Sequence, residues 1–532
     1  MPTITLNKKD LLKLVGKQLN DTQLLDRMAM LGTDVEHMKG NEICVEIFPN
    51  RPDLLSEEGF ARALSSFIGK KTGLRNYKVQ KNNYSYKIDS KVKKIRPYVG
   101  AAVVKRVQFD KAFYESFMNL QEKLCLTHGR NRKKVAIGAH DLDTIQFPLT
   151  YTTKELDYTF KPLDMGKELT LRQILNKHPK GKEYAHLLEG QKNAPIWIDK
   201  QKQVLSMPPI INSEETKITT QTKNIFFDVT GTDQQAVNQA LNILVTACAD
   251  RGGKIYAVNK QPNLQPIKIV VKLDYVNKLL GLELKQKEYE KLLAKMGLGY
   301  QQGKVLVPAY RVDVLHPMDI VEDIAIAYGY ENFKPEIPNI STVGEEHSFE
   351  KFKRVVSTTM ANYRLLETNT HHLSNLTEQK TNMQTQLTPI PLTNALNEDY
   401  SCLRVWMLPS LLQVLRNNKH HEYPQKIYEI GTIFTEKEEF QRLACVLSGD
   451  VSYTDARQIL EGLLRNLGVE AHYKETKHGS FIPGRVARIT IKGKKVAYVG
   501  ELHPQVLQAN SLDMPVSCFE LNLSVLYELL KH

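Results

Sequence analysis

Four carboxylates crowd into the stretch RVDVLHPMDIVEDIAIAYGY, in which a proline suits the first turn of a helix. Asp319, Glu322 and Asp323 follow at the i, i+3 and i+4 spacing of one helical face, and Asp313 precedes the helix and can fold back towards that face. Like charges at this spacing repel, so the set favours a bound cation, and oxygen ligands without His or Cys indicate Mg²⁺ or Ca²⁺. The alternative is a helix N-terminus that attracts acids without a metal.

A second polar stretch, LSMPPIINSEETKITTQTKNIFFDVTGTD (205–233), is rich in Ser, Thr, Asn and Asp. Its paired prolines fix an extended approach. Many small hydrogen-bonding groups beside a rigid turn suit a pocket that binds a small polar ligand. An ordinary turn-rich β domain explains the same composition. The chain shows no Ser-His-Asp or Cys-His arrangement with recognisable spacing, so the sequence does not predict a covalent hydrolase.

The bulk composition predicts a multidomain cytoplasmic protein. A chain of 532 residues is too long for one core, and 42% hydrophobic and 25% charged residues are typical of soluble globular proteins. No apolar run approaches the roughly 20 residues needed to span a bilayer. The N-terminus lacks the apolar core of a signal peptide. Six scattered cysteines without a CxxC pair argue against a zinc ribbon or a disulfide framework and favour a reducing compartment.

The chain carries a formal net charge of +13, which suits a polyanionic partner such as RNA. A lysine-rich proteome with basic surfaces is the alternative explanation. Basic runs occur as KVKKIR (91–96), RNRKK (130–134) and KFKR (351–354), and solvated faces are the simpler interpretation of each.

A weak internal duplication organises the elements. LNKKDLLKLVGKQL (6–19) and LDYVNKLLGLEL (273–284) align without a gap, and each copy predicts two short helices that are each closed by a glycine. Each copy continues into a strand, a turn and a further helix, and the turns share an Arg-X-Asp pattern at 51–53 and 311–313. The first copy has no counterpart of Asp319, so the metal pattern belongs to the second copy. Two related domains therefore flank the region between them.

These motifs resemble the family of phenylalanine–tRNA ligase beta subunits. FPNRPDLLSEEGFARAL (48–64) and VPAYRVDVLHPMDIVEDIAIAYGYENF (307–333) are similar to the first and fifth domains of that family. The short overall length and the motifs GAHDLDTI (138–145) and PPIINSEETKIT (208–219) resemble its archaeal/eukaryotic branch. The similarity runs through nearly the whole chain in the order of the family.

The resemblance implies an α+β multidomain fold. Two related small helix–turn–strand domains are expected at 1–80 and 265–340, flanking a β-rich editing domain at 81–262. A C-terminal domain at 345–532 is expected to form the antiparallel sheet of a class II synthetase.

The resemblance assigns magnesium to the acidic stretch, in a site shared with the alpha subunit. The implied ligands are Asp313, Asp319, Glu322 and Asp323. All four match the family in residue type, except that Asp323 stands where many relatives have Glu.

The same resemblance implies that the central domain hydrolyses tyrosine mistakenly attached to tRNA(Phe). The candidates for the pocket and for positioning the water are Ser206, Asn212, Asp228, Thr230, His140 and Asp141. Asp228 and Thr230 lie two apart on a strand pattern and would point to one face. Asp228 as a cap of the following turn, and GAHDLD as a structural corner, are the alternatives.

In the C-terminal region, TNALNEDYSCLRVWMLPSLLQVLRNN (393–418) and KIYEIGTIF (426–434) resemble the sheet and the motif-two helix of class II synthetases. No Gly-rich segment ending in arginine follows, and no P-loop appears. The resemblance therefore implies a beta subunit without residues for aminoacylation. It would assemble as an alpha2beta2 heterotetramer, in which the alpha subunit attaches L-phenylalanine to tRNA(Phe) with ATP. A stand-alone nucleic-acid-binding adaptor and a free trans-editing deacylase are the alternatives.

Overall fold

The computed structural model describes residues 2–531 and separates into two compact units, Met1–Ile337 and Pro338–His532. Within the described residues, no helix is both long enough and apolar enough to cross a membrane. The observed α+β multidomain architecture agrees with the fold class that the sequence predicts.

The first unit begins with a small domain of three helices on a three-stranded antiparallel sheet of order β1-β3-β2. Its elements are β1 (Thr3–Asn7), α1 (Lys8–Val15), α2 (Asp21–Met30), β2 (Asp34–Lys39), β3 (Glu42–Glu46) and α3 (Glu57–Phe67). The Asn7 side chain accepts the Asp10 N–H at the start of α1, and Gly16 ends that helix in the left-handed region at φ 74°.

The central region contains two five-stranded sheets, of order β13-β12-β11-β8-β5 and β4-β15-β6-β14-β7. Its first elements are β4 (Val79–Gln80), β5 (Tyr86–Ile88), β6 (Tyr98–Lys105), α4 (Lys111–Leu126), β7 (Val135–Asp141), β8 (Leu149–Glu155), β9 (Thr159–Phe160) and β10 (Leu169–Thr170). They continue with α5 (Leu171–Lys177), α6 (Pro179–Tyr184), β11 (Asn193–Ile198), β12 (Val204–Met207), β13 (Ile211–Asn212), β14 (Asn224–Gly231), α7 (Gln234–Asp250) and β15 (Lys254–Ala257).

Strand alternation divides the side chains of β14 between two cores. Phe226 packs between the two sheets with Tyr151 and Trp197, while Ile225 and Phe227 face the core under α4 and α7. This arrangement holds β14 rigidly beneath α4. The polar residues of β14 are therefore fixed in position by apolar packing on both faces.

The second small domain has the same element order and the same sheet order as the first. Its elements are β16 (Ile267–Val270), α8 (Leu273–Leu280), α9 (Gln286–Lys295), β17 (Gly299–Gln301), β18 (Lys304–Val307) and α10 (Pro317–Tyr328). The sheet order β16-β18-β17 matches β1-β3-β2, and Gly281 ends α8 at φ 64° as Gly16 ends α1. The two copies of the duplicated pattern found in the sequence correspond to these two sets of elements.

The second unit is built on a seven-stranded sheet of order β19-β23-β24-β28-β27-β26-β25, antiparallel except for the β19–β23 pair. Its first elements are α11 (Ser348–Asn362), β19 (Leu366–Glu367), β20 (Leu373–Ser374), β21 (Ile390–Pro391), β22 (Cys402–Leu403), α12 (Leu408–Asn417), β23 (Gln425–Phe434) and β24 (Glu439–Ser448). They continue with α13 (Tyr453–Asn466), β25 (His472–Glu475), β26 (Phe481–Ile491), β27 (Lys494–Leu502), α14 (Pro504–Ala509), β28 (Val516–Asn522) and α15 (Leu523–Leu530). Apolar clusters cover both faces of this sheet.

Candidate functional site

A cavity of about 300 Å³ opens in the central region, beside α4 and the strands β7, β12 and β14. Its wall combines aliphatic, amide, carboxylate and cationic side chains from segments far apart in the chain. The lining residues are Met118, Asn119, Gln121, Glu122, Cys125, Arg132, Ala136, Ile137, Gly138, Leu163, Asp164, His178, Lys180, Ser206, Pro208, Pro209, Ile210, Ile211, Asn212 and Asp228.

Three of the residues singled out from the sequence meet at this cavity. The Ser206 hydroxyl donates to Asp228 Oδ2 at 2.8 Å, and Ser206 pairs with Asn212 across β12 and β13. Asp228 is only 1% exposed, so its carboxylate forms the floor of the cavity. The three side chains converge because the β12–β13 pair contacts β14 through the Ser206–Asp228 bond and β7 through the Asn212 amide, which donates to Ala139 O.

His140 lies behind the floor and does not line the cavity. Its Nε2 is 3.0 Å from Asp228 Oδ2, and its Nδ1 is 2.8 Å from the Thr216 hydroxyl. The imidazole is fully buried. His140 therefore contacts the same carboxylate oxygen as Ser206 and holds the Asp228 side chain in one orientation.

The other two sequence candidates lie outside the cavity wall. Thr230 accepts the Arg96 Nε–H at 3.0 Å, in a buried layer beneath the cavity. Asp141 accepts the Thr222 hydroxyl at 2.7 Å and the Asp143 N–H at 3.0 Å, in the corner that follows β7. Both side chains stabilise the local backbone.

Two arginines place positive charge in the neighbourhood of Asp228. Arg96 is 3% exposed and donates to Thr230 O at 2.7 Å. Burial lowers the pKa of the Arg96 guanidinium to about 10, and the charge of Asp228 opposes that shift. Arg132 donates to Ile210 O at 2.7 Å and packs on the Tyr184 ring, while its buried Nε has no hydrogen-bond partner among the described residues. Arg132 thus brings a guanidinium to the cavity wall, while its Nε–H is enclosed by protein.

Gly138 makes the close approach of β7 to the Asp228 side chain possible. A Cβ atom at this position would lie 2.6 and 2.7 Å from the two Asp228 carboxylate oxygens. Such distances are well inside van der Waals contact. Only glycine therefore lets the carboxylate lie against the strand.

Sequence reasoning missed the wall that α4 and the following turn provide. Gln121 and Glu122 come from α4, and Arg132 comes from the basic run interpreted above as a solvated face. Arg130, Asn131 and Arg132 all have positive φ, between 48° and 64°. Three consecutive residues in this conformation reverse the chain tightly, which lets Arg132 face inward. The basic composition of the run gives no signal of this turn.

The acidic stretch at α10 is divided among three environments. The Arg311 guanidinium donates to Asp313 at 2.6 and 2.7 Å and to Asp323 at 2.9 Å. Asp319 Oδ2 accepts the N–H groups of Leu315 and His316, both at 2.7 Å, at the start of the helix. Glu322 is exposed beside an apolar groove. The spacing placed three of these carboxylates on one face, but Asp323 is buried, so the described residues do not show a single acidic face.

At Asp313 and Asp323, burial and the neighbouring arginines shift the carboxyl pKa in opposite directions. For Asp313, burial raises the pKa, but Arg311 and Arg51 outweigh it and the net shift is downward. For Asp323, burial outweighs Arg311 and the pKa is raised. Arg51 makes the matching bidentate contact to Asp53 in the first domain, and its Nε lies 4.0 Å from Asp313. The two duplicated turns therefore contact each other through their repeated Arg-X-Asp residues.

Two of the four acidic residues are placed to bind a divalent cation. Asp313 and Asp323 already share the buried Arg311 guanidinium. Asp319 keeps one oxygen without a hydrogen bond, and Glu322 has no hydrogen bond or ion pair within the described part of the chain. Oxygen ligands of this kind suit Mg²⁺, which binds through one or two carboxylates and keeps several waters.

Three sequence models of known families match the chain in the order of its domains. The B3/4 domain matches residues 80–247, the tRNA synthetase B5 domain matches 269–330, and the phenylalanyl tRNA synthetase beta chain CLM domain matches 334–523. Together with the multidomain α+β fold, these matches define a subunit of an aminoacyl-tRNA synthetase.

Full-length relatives narrow the assignment. The phenylalanine–tRNA ligase beta subunit of Pyrococcus horikoshii is 40% identical over 554 residues, covering 99% of this chain and 100% of the relative. That of Archaeoglobus fulgidus is 39% identical over 545 residues, covering 99% of both chains. The chain belongs to the family of phenylalanine–tRNA ligase beta subunits.

A solved structure supports the fold of the first unit. The crystal structure of an N-terminal fragment of the phenylalanyl-tRNA synthetase beta subunit from Pyrococcus horikoshii is 41% identical, with a TM-score of 0.59. It covers 62% of this chain, and 99% of the fragment is matched.

Proposed function

We propose that the chain assembles with an alpha subunit to attach phenylalanine to tRNA(Phe), and that its central cavity removes tyrosine from mischarged tRNA(Phe). The observation that carries the editing proposal is the convergence of Ser206, Asn212 and Asp228 on one cavity within the B3/4 match. The net charge of +13 suits tRNA(Phe) as the nucleic-acid partner. We place this activity in the cytoplasm, where tRNA is charged.

The proposed hydrolysis requires a water, a base and a donor, but no nucleophilic side chain. The Asp228 carboxylate takes a proton from a water as that water attacks the ester carbonyl carbon. The guanidinium of Arg132, which lines the cavity, supplies positive charge near the carbonyl oxygen as negative charge develops there. The ester bond to the ribose oxygen then breaks, and the proton passes from Asp228 to that oxygen. The products are tyrosine and a free tRNA end.

Selectivity for tyrosine over phenylalanine requires a partner for the phenol hydroxyl. Asn119, Gln121 and Glu122 on α4 supply polar groups at the wall of the cavity. A polar group left unpaired against phenylalanine costs about 1–3 kcal/mol, which corresponds to a roughly tenfold to hundredfold preference for tyrosine. Editing of this kind supplies discrimination that a single binding step lacks.

Gly138→Ala tests the editing proposal without altering a polar group. The added Cβ would overlap the Asp228 carboxylate and displace it from the cavity floor. We expect hydrolysis of Tyr-tRNA(Phe) to fall by about 10²-fold, the cost of misplacing a reacting group by about 1 Å. The measurement is the release of labelled tyrosine over time, alongside phenylalanine charging by the alpha–beta assembly.

Gly166→Ala is the matched control, because a Cβ there meets no heavy atom within 4 Å and the same domain carries both changes. It should clear Tyr-tRNA(Phe) at the parental rate. Parental clearance by Gly138→Ala itself would place the editing site elsewhere.

We further propose that Mg²⁺ is held by Asp319 and Glu322, with Asp313 and Asp323 fixing the turn behind them through Arg311. The resemblance assigns all four to the metal, but Asp313 and Asp323 are ion-paired with Arg311, whereas Asp319 and Glu322 make no ion pair among the described residues. When bound, the ion supplies positive charge on the exposed side of α10. Asp319 also stays tied to the helix start, so its free oxygen is held in place. The alpha subunit would complete the coordination, in an assembly of two alpha and two beta chains.

An association assay tests the metal and the partner together. The chain co-expressed with the alpha subunit should co-purify with it and charge phenylalanine, whereas the chain alone should not charge. Chelation of Mg²⁺ should weaken alpha–beta association by at least about tenfold, which is the size of the loss in affinity or activity when the groups around a bound metal are altered. The double variant Asp319→Asn/Glu322→Gln should bind alpha weakly and lose this response to chelation.

The control pair is Asp274→Asn/Glu283→Gln, two exposed acids of the same domain. This pair should leave association unchanged and sensitive to chelation. Unchanged Mg²⁺-dependent association in Asp319→Asn/Glu322→Gln would contradict the metal proposal. Phenylalanine charging by the isolated chain would contradict the proposal that the alpha subunit carries out charging.

A further inference from the structure

The outer face of the first small sheet brings together three different metal-binding side chains. Glu36 and His37 lie on β2, and Cys44 lies opposite them on β3. One ligand atom of each residue lies within 4.8 Å of the other two, and among the described residues this is the group that meets that condition. The cluster is remote in sequence from the cavity and from the acidic stretch.

An irregular strand pairing places the three side chains together. Val35 pairs with Val45 and His37 pairs with Cys44, so Glu36 is an extra residue in a β-bulge. Val45 is buried in the core, and Cys44 therefore points outward. Unbroken pairing would place Glu36 opposite Cys44 and turn His37 towards the core. The bulge instead directs both Glu36 and His37 to the side of Cys44.

The carboxylate of the cluster is already held in place. The Thr3 hydroxyl donates to Glu36 Oε1 at 3.2 Å, and the Cys44 thiol donates to Glu36 Oε2 at 3.2 Å. The thiol proton thus lies between a sulfur and an oxygen that could both bind a metal. Cys44 is also the one cysteine of the six that is not buried.

We propose that Glu36, His37 and Cys44 form a binding site for a divalent transition-metal ion, with Zn²⁺ as the best match. Thiolate, imidazole and carboxylate are the ligands that Zn²⁺ takes in proteins, and a thiolate disfavours Mg²⁺ and Ca²⁺. Ligands of a tetrahedral Zn²⁺ lie about 3.5 Å from one another, so the exposed side chains need to move inward only slightly. Three protein ligands leave the fourth position to a water on this exposed face.

The proposed ion would connect the edge strand β2 to β3. It replaces the thiol proton, which leaves to solvent as the sulfur binds the metal. Because the thiol must lose its proton before the sulfur binds the metal, binding should tighten as the pH rises. The site is separate from the proposed magnesium at α10 in both ligands and metal class.

Cobalt titration of the untagged full chain tests the site, since Co²⁺ substitutes for Zn²⁺ and reports a thiolate ligand by a near-ultraviolet charge-transfer band. We expect one equivalent of Co²⁺ to produce the band and Zn²⁺ to abolish it. Cys44→Ser should eliminate the band. His37→Gln and Glu36→Gln should each weaken Co²⁺ binding at least about tenfold.

Glu42→Gln is the control, because Glu42 lies on the same outer face of β3 but outside the cluster. It should bind Co²⁺ with parental affinity. Absence of the band in the parent at saturating Co²⁺ would overturn the proposal. Parental Co²⁺ affinity in His37→Gln would also overturn it, because the Cys44 thiolate would then bind cobalt without the imidazole ligand.

Discussion

Replacing Asp228 by asparagine is expected to lower the hydrolysis of Tyr-tRNA(Phe) by about 10²–10⁴-fold, the contribution of a positioned general base. Asparagine keeps the volume of the side chain and an oxygen that can accept from Ser206 and His140 at their present distances of 2.8 and 3.0 Å. What it removes is the group that takes the proton from water. The effect should therefore appear in the hydrolytic rate rather than in the shape of the cavity.

Phenylalanine charging should be preserved in the Asp228→Asn assembly, because we assign that reaction to the alpha subunit. The measurement pairs the tyrosine-release rate with the charging rate on the same preparation. Far-ultraviolet circular dichroism and a thermal midpoint check that the buried Arg96, which loses a nearby negative charge, has not destabilised the domain.

Asp141→Asn is the matched control, since it makes the same change in the same domain on a side chain that only caps a corner. Clearance should stay within about twofold of the parent, because an asparagine also caps such turns. If Asp141→Asn abolishes clearance and Asp228→Asn does not, the cavity described here is not the hydrolytic site.

Arg311→Met is expected to lower the free energy of unfolding of the first unit by about 3–5 kcal/mol, the cost of removing one partner from a buried ion network. Arg311 is 5% exposed and contacts Asp313 and Asp323 at 2.6–2.9 Å. Methionine fills much of the same volume but leaves the buried Asp323 carboxylate and the partly buried Asp313 carboxylate near each other. Their repulsion and lost hydration are the physical origin of the effect.

The effect should also depend on pH. Arg311 lowers the pKa of Asp313 below its ordinary value of 3.8, so the stability this contact provides is present above that value and is lost as the pH falls through the lowered pKa. The difference between parent and Arg311→Met should therefore be larger at neutral pH than near pH 3.

The measurement is the urea midpoint of the first unfolding transition of the full chain, compared at constant m because a multidomain chain need not unfold in one step. The control Lys304→Met removes an exposed cation from β18 and should change stability by no more than about 0.5 kcal/mol. Adding Asp323→Asn to Arg311→Met should recover part of the loss, since one unpaired charge disappears. Equal stability of Arg311→Met and Lys304→Met would show that the network contributes nothing.

Individual helices and strands could be predicted from short segments of the sequence. The strand pattern that carries Asp228 and Thr230 is present in the structure as β14, and the glycines that close the first helix of each duplicated copy end α1 and α8. Strand alternation, capping and left-handed glycine positions depend on a few neighbouring residues. That is why such features can be predicted without knowing the fold.

The polar residues of the cavity were predictable only where they share one continuous stretch. Ser206, Asn212 and Asp228 lie within a polar segment that stands out in composition. Gln121 lies on an amphipathic helix and Arg132 in a basic run, and neither pattern specifies which distant strand the side chain will face. Packing of α4 against the sheet decides that, because the contact is made by segments about 100 residues apart.

The sequence by itself determined the family, the duplicated helix–strand pattern and the presence of four carboxylates in the acidic stretch. Only the tertiary structure decided how the charges are paired. The i, i+3 and i+4 spacing predicts one helical face for Asp319, Glu322 and Asp323. In the structure, Asp323 is buried and accepts a hydrogen bond from Arg311, whereas Glu322 is exposed. The physical reason is that a buried carboxylate must be paired, and its partner arrives from whichever segment the fold brings within hydrogen-bond distance.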